Sequence, residues 1–329
     1  MTPMAPHVTS FLRERLPVER GASAHTCEAY SYGLKLFFEY ASSKLGKRPS
    51  DLNLEDLDAP LVLEFLEHIE LKRGNSPSTR NARLTAIKSF MHFVEYRVPS
   101  VLAQCKRVFA IPLKKCDQEL VHYLSMTELK AVLDSPNLET RSGIRDRSML
   151  HLCFAAGLRV SELVSLTAAS VSLSHTPSLW VLGKGRRQRN LPLMKQATSD
   201  LRAWLAIRGD ATVPELYLNS RNNQMTRSGF EYILRKHVKA AIPMCPSLEA
   251  KKISPHVLRH TCAMMILQST GDIRRVSLWL GHAQLQTTQI YVDADPLQKL
   301  ETVDGLSPLP LKRGRFRVAD KLISSMKGP

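Results

Sequence analysis

Ser254-Pro255-His256-Val257-Leu258-Arg259-His260-Thr261 is the stretch on which the reading of this chain turns. Ser254 followed by Pro255 opens a helix, because proline at the first helical position gives up no hydrogen bond and presets φ. His256 and Arg259, three apart, then leave one face of its first turns, where the helix dipole favours an anion. Four further polar residues stand around this helix in distinct local settings. Arg159 lies in Gly157-Leu158-Arg159-Val160-Ser161-Glu162-Leu163, Lys184 in Gly183-Lys184-Gly185, His282 in Leu280-Gly281-His282, and Tyr291 follows nine residues later. Cations for a phosphate, proton carriers and one hydroxyl are the parts needed to cut a phosphodiester with a protein nucleophile.

Each residue also has a plainer reading. Arg159 follows a helix-ending glycine and precedes Ser161-Glu162, which resembles a helix start. Its planar fork suits two phosphate oxygens, and Glu162 could instead hold it as an ion-pair partner with a positioning role. Lys184 between glycines can approach a DNA backbone closely and donate a proton, yet Gly-Lys-Gly lacks the longer spacing of a P-loop. His256 and His260 have the i,i+4 spacing of zinc ligands, but no Glu follows the first and no third ligand is evident. His260 therefore reads as a buried support for its helix. Tyr291 alone reads as packing, and a phenol attacks at neutral pH only where a base takes its proton and cations favour the phenolate.

Size and charge bound the partner. The 329 residues allow two ordinary domains, and 46 Lys and Arg against 30 Asp and Glu leave a net charge of +16. That excess suits a polyanion, because neutralised phosphates release condensed counterions. Six cysteines are scattered without a CxxC pair, which argues against a zinc site and against a secreted disulfide framework; Cys153 and Cys262 read as small core hydrophobes. Met1 to Leu16 lacks the apolar block of a signal peptide and no apolar run spans a membrane, so a cytoplasmic, nucleoid-associated protein is expected.

The first hundred residues read as helices only. One runs from about Ser23 to Ser43 with Tyr30, Leu34, Phe37 and Ala41 at 3–4 spacing. A second starts near Asp58 and buries Val62, Phe65, Leu66 and Ile69; a third opens at Ser76-Pro77 and ends before Pro99. A short helix near Val8 to Leu16 completes a four-helix unit. From Cys105 to Tyr123 no period is visible and the stretch reads as a basic linker. Ser125-Met126-Thr127-Glu128 is a capping box, a helix from about Arg145 ends at Gly157, and 179–182 and 189–193 read as paired strands around a Gly-rich turn. Helices then dominate to about Gly305, before a tail with Lys312, Arg313, Arg315 and Arg317.

In order, spacing and flanking residues, Arg159, Lys184, His256, Arg259, His282 and Tyr291 resemble the six-residue signature of the tyrosine recombinases, the phage-integrase family. The resemblance covers nearly the whole chain. It implies a mainly α fold with a small antiparallel β-sheet: a SAM-like four-helix core-binding domain at 1–105, a linker at 106–120, an α+β catalytic domain at 121–305 and a basic tail at 306–329. It further implies that Arg159 and Arg259 clamp the scissile phosphate, Tyr291 attacks to leave a 3′-phosphotyrosyl link, Lys184 protonates the leaving 5′-oxygen, His256 serves as acid/base and His282 holds the phosphate. No metal, ATP or other cofactor is required. Double-stranded DNA is the expected partner, with contacts from Arg80, Arg83, Lys88, Arg186 and Arg227. The family assembles as four protomers on two sites, the segment after the tyrosine docking on a neighbour, with accessory recombination proteins in some systems. The basic tail departs from compact chromosome-resolving members and favours an integrase or transposase of a mobile element. A type IB topoisomerase uses a related residue set, and a catalytically silent DNA binder would keep the fold; the helical N-terminal domain and the intact set of six favour recombination.

Overall fold

Ser23, Asp58 and Ser76 each accept a hydrogen bond from a backbone N–H three residues on, and each starts a long helix; such caps satisfy donors that the first turn leaves free. The computed structural model describes residues 1–117, 121–183, 188–209, 213–281 and 286–294. It divides into two units, Met1–Gln118 and Glu119–Pro329.

In the N-terminal unit, α1 (Met4–Ser10) runs into a wider π-helical segment, Phe11–Glu19, around Pro17, which has no N–H to donate. There follow α2 (Ala24–Leu45), α3 (Ala59–Leu71) and α4 (Pro77–Glu95). Their inner faces carry Leu34, Phe37, Ala41, Val62, Phe65, Leu66, Ile69, Leu84, Ile87, Met91 and Val94, all buried, as the 3–4 spacing requires. Phe11 plugs the centre, its ring edge-on to Phe90 at 5.5 Å. Burial of each such side chain contributes about 1.5–3 kcal/mol.

The expected linker is corrected here. Residues Leu102–Phe109 form a further helix, α5, and its Cys105 and Val108, with Ile111 beyond it, are buried in the N-terminal core. The pattern was too short to show a period: two core contacts in eight residues, with Lys106 and Arg107 between them. The chain beyond is tied to α4. Lys88 donates to the carbonyls of Phe109 and Ile111 at 2.8 and 2.6 Å, Arg80 to that of Pro112 at 3.0 Å, and Asn81 to that of Lys114 at 2.8 Å.

The second unit opens with α6 (Met126–Asp134), whose capping box is present in both directions: Ser125 Oγ accepts from Glu128 N at 3.2 Å and Glu128 from Ser125 N at 2.8 Å. Next comes α7 (Arg141–Ala155), capped by Thr140. It begins four residues before the expected Arg145, because Gly143 fits where a Cβ would lie 1.8 Å from the Asn137 carbonyl. Met149, Leu152 and Cys153 of α7, and Ala156 just past its end, are buried. After α8 (Val160–Val164), the strands β1 (Val171–Ser172), β2 (Ser178–Leu182) and β3 (Gln188–Pro192) form an antiparallel sheet in chain order, with Trp180 opposite Asn190 and Leu182 opposite Gln188. The first of these strands had no sequence signal. Leu179, Val181 and Leu191 point into the core.

Helices α9 (Lys195–Arg208), α10 (Arg227–Ala241), α11 (Pro255–Thr270), α12 (Ile273–Leu280) and α13 (Gln286–Ala294) complete the unit. Cys153 and Cys262 are buried in its main core, as expected of small hydrophobes. Polar groups buried beside α7 are paired: His237 bonds Asp146 at 3.1 Å, and His151 bonds Asp200 at 2.7 Å. No helix among the described residues is long and apolar enough to cross a membrane.

Candidate active site

Gly157 (φ +56°) turns the chain out of α7 in a conformation that suits glycine; a Cβ there would stand 2.5 Å from a Leu280 methyl. Two residues on, Arg159 sits in extended conformation at the N-cap of α8. Its backbone N–H and its guanidinium both donate to Glu162, at 3.0 and 2.9 Å. The ion-pair reading of Arg159 is the one seen: it is a partner of Glu162, with its side chain 31% exposed.

Glu162 gathers more than Arg159. Arg189 on β3 donates to both of its oxygens, at 3.2 and 2.8 Å, and Arg259 on α11 stands 3.9 Å away. Burial works to raise the Glu162 carboxyl, but the hydrogen bond and charge of Arg189 and the bonds from Arg159 outweigh it and hold it below the usual range. Arg259 is itself buried and donates to the carbonyls of Gly157 and Leu280. Burial, reinforced by nearby Arg159, brings it down to about 10, so it remains a cation at neutral pH. One carboxylate among three guanidiniums leaves an excess of positive charge, an arrangement chemically suited to an anion.

Tyr291 on α13 is 1% exposed and packs in an apolar cluster with Ala263, Met264, Leu267, Val276 and Leu280 of α11 and α12. Its hydroxyl lies 2.9 Å from His260 Nδ1. Burial pushes the phenol up to about 12, against the opposing pull of Arg259 and Arg159. Burial also pushes His260 down to about 4, helped by His256 and Arg259. His260 thus does more than support its helix, the role read for it from sequence: it contacts the candidate nucleophile. His256, in the first turn of α11, is exposed.

Arg159, Arg259 and Tyr291 are thus brought to one side of the unit, around α11. Lys184, Arg186 and His282 lie outside the described residues. Of the residues expected to contact DNA in the N-terminal unit, Arg80 is 5% exposed, and both it and the half-buried Lys88 donate to main-chain carbonyls of 109–112. Arg83 stacks on Tyr32 with 4.8 Å from its central carbon to the ring, and Arg227 is exposed at the first residue of α10.

Two residues that matter here carried weak signals. Arg189 shares the inward face of β3 with buried Leu191, and an arginine at an inward strand position calls for a buried counter-charge. His260 was visible by its i,i+4 spacing from His256, but nothing in the sequence paired it with Tyr291, 31 residues on.

Comparison with known proteins agrees with this geometry. The phage integrase family matches residues 122–298 and the phage integrase N-terminal SAM-like domain residues 8–98. A Sinorhizobium fredii protein that carries the name integrase/recombinase y4rC is 39% identical over 98% of this chain and 97% of its own length. The tyrosine recombinase XerC of Pelobacter propionicus is 33% identical over 94% and 97%. Among solved structures, the XerH site-specific recombinase bound to palindromic difH substrate shares the fold with a TM-score of 0.66, at 24% identity over 87% of this chain and 81% of that one. The family match spans more than half the chain, and with it the architecture, the Glu162-centred arginine cluster and Tyr291 lead to one assignment: this chain belongs to the phage integrase family of tyrosine recombinases, enzymes of site-specific DNA recombination.

Proposed function

We propose that this recombinase cleaves and rejoins DNA through a 3′-phosphotyrosyl intermediate, with Tyr291 as nucleophile, in the integration and excision of a mobile element. The observation that carries the chemistry is the arginine cluster around Glu162: the carboxylate bonds Arg159, two carbonyls bond Arg259, and both cations act electrostatically on Tyr291. Fixed cations meet the charge that grows on a pentacoordinate phosphorus, which is where such groups act most strongly. Lys184 protonates the departing 5′-oxygen, and His256 and His282 flank the phosphate. Because Tyr291 is buried, DNA engagement has to expose its hydroxyl to the phosphate. Four protomers act on two sites, the chain after α13 docking on a neighbour. The mobile-element role rests on the basic tail and on the integrase/recombinase name of the y4rC relative.

The test uses a nicked duplex carrying the site that the purified protein selects from a randomised pool, incubated with EDTA and run on a denaturing gel. A covalent adduct that disappears in Tyr291→Phe, together with strand exchange between two such duplexes, is the expected result. Adduct formation by Tyr291→Phe overturns the nucleophile assignment. Recombination between sites flanking an element in the source genome tests the biological role.

A further inference from the structure

We infer that His260 takes the proton of the Tyr291 hydroxyl as that oxygen attacks phosphorus. The inference rests on the reading above and adds a catalytic residue to it. The geometry is direct: His260 Nδ1 stands 2.9 Å from the hydroxyl, within the range of a general base and its proton, with the two rings 5.5 Å apart and inclined by 59°. In the tautomer that carries its proton on Nε2, the imidazole accepts from the phenol. The His256 ring lies 6.3 Å from that of His260, in the exposed first turn.

The placement of His260 is rigid. It follows Arg259 on α11, and Arg259 is anchored to the Gly157 and Leu280 carbonyls. Arg259 acts electrostatically on both His260 and Tyr291, so a phosphate seated on it lies within reach of the field of that pair.

The step balances. The O–H bond of Tyr291 breaks and its proton passes to His260 Nδ1 while a phenolic oxygen lone pair forms the new bond to phosphorus. The bond from phosphorus to the 5′-oxygen breaks, and that oxygen leaves with a proton from Lys184. Rejoining runs the same transfers backwards, His260 returning the proton to the phenol.

The environment of the pair suits a reaction confined to bound DNA. With the phenol raised and the imidazole lowered by burial, the proton stays on oxygen while the site is empty. Among the described residues, the charged and titratable groups acting on the pair include His256, Arg259 and Cys262 from α11 and Arg159 from the start of α8. A phosphodiester seated among the arginines offsets the positive charge of Arg259 that disfavours protonated His260, and so narrows the gap at the moment of attack.

The experiment is single-turnover cleavage of the nicked duplex described above by His260→Ala and His260→Asn. Asn can accept a hydrogen bond from the phenol but cannot carry its proton away. Both variants are expected to bind the duplex as the wild type does and to cleave on the order of 100-fold more slowly. Replacing Tyr291 with the more acidic 3-fluorotyrosine should restore part of the rate in His260→Asn and change the wild type little. His260→Asn cleaving at the wild-type rate overturns the inference and leaves His260 as a holder of the ring. Faster cleavage by either variant also overturns it, making His260 a restraint on Tyr291. Absence of any wild-type adduct would remove the phosphotyrosyl reading itself, an outcome the wild-type lane separates from the others.

Discussion

Buried or half-buried cations occur in both units, and they end in different electrostatic states. On α4, Arg80 and Lys88 give hydrogen bonds to neutral main-chain carbonyls, with Glu70 3.9 Å from Arg80. In the catalytic unit, Arg159 and Arg189 bond one carboxylate, and Arg259 stands beside it with its own donors on two carbonyls. The first arrangement holds a segment of chain against a helix. The second crowds three like charges around a single carboxylate. Burial alone does not separate a structural cation from a functional one; the balance of charge around it does.

The sharpest test of that contrast is Arg259→Ala. If the cluster serves the transition state, cleavage should fall by about 10³-fold, roughly 4 kcal/mol, as when a preorganised donor is removed from other active sites. Binding to the same duplex should change only severalfold, since other phosphate contacts remain. Parallel losses in binding and cleavage would place Arg259 with the anchoring cations of α4.

Glu162→Ala attacks the other side of the balance. It leaves Arg159, Arg189 and Arg259 facing one another without a counter-charge, and removal of one partner from a buried pair costs about 3–5 kcal/mol. Urea unfolding should show a loss of that order. A loss below about 1 kcal/mol would mean that the guanidiniums find other acceptors and that the carboxylate does not organise the site.

How much of this was legible depends on how local the signal is. Caps at Ser23, Asp58, Ser76 and Ser125 act within three residues, and they located four helices. The α5 helix is held by the burial of Cys105 and Val108 and by the bond from Lys88 to Phe109, contacts that leave no period in its own eight residues. The two-residue strand β1 exists only through its pairing with β2. At the site, Arg159 and Tyr291 were found by their flanks, whereas Arg189 and His260 take their importance from partners 27 and 31 residues away. Charge identity is written in the chain; charge balance arises only on folding.

His260 gives the comparison a pH axis. Its folded pKa, about 4, lies below the ordinary value of 6.5, so between those values the unfolded chain binds a proton that the folded chain refuses. Stability is therefore full above about pH 6.5 and declines as pH falls toward 4. The depressed Glu162 carboxyl adds its own loss only at lower pH, as it protonates. Thermal unfolding at pH 7 and pH 4.5 should show a smaller drop for His260→Asn than for the wild type. Equal drops would mean that His260 is no harder to protonate in the folded protein than in the unfolded chain.

The smallest effects separate anchoring from DNA contact within the cations named from sequence. Lys88→Met should lower the stability of the N-terminal unit by about 1–3 kcal/mol, the usual value of hydrogen bonds from a charged donor, and leave the slope of log affinity against log salt unchanged. Arg227→Ala, at the exposed start of α10, should leave stability within about 0.5 kcal/mol and reduce that slope by about 1 if it meets a phosphate. The two variants thus exchange signatures, one thermodynamic and one electrostatic. A salt slope reduced by Lys88→Met at intact stability would show that its bonds to Phe109 and Ile111 give way to phosphate on DNA, and the contrast drawn between the two units would then hold only for the DNA-free protein.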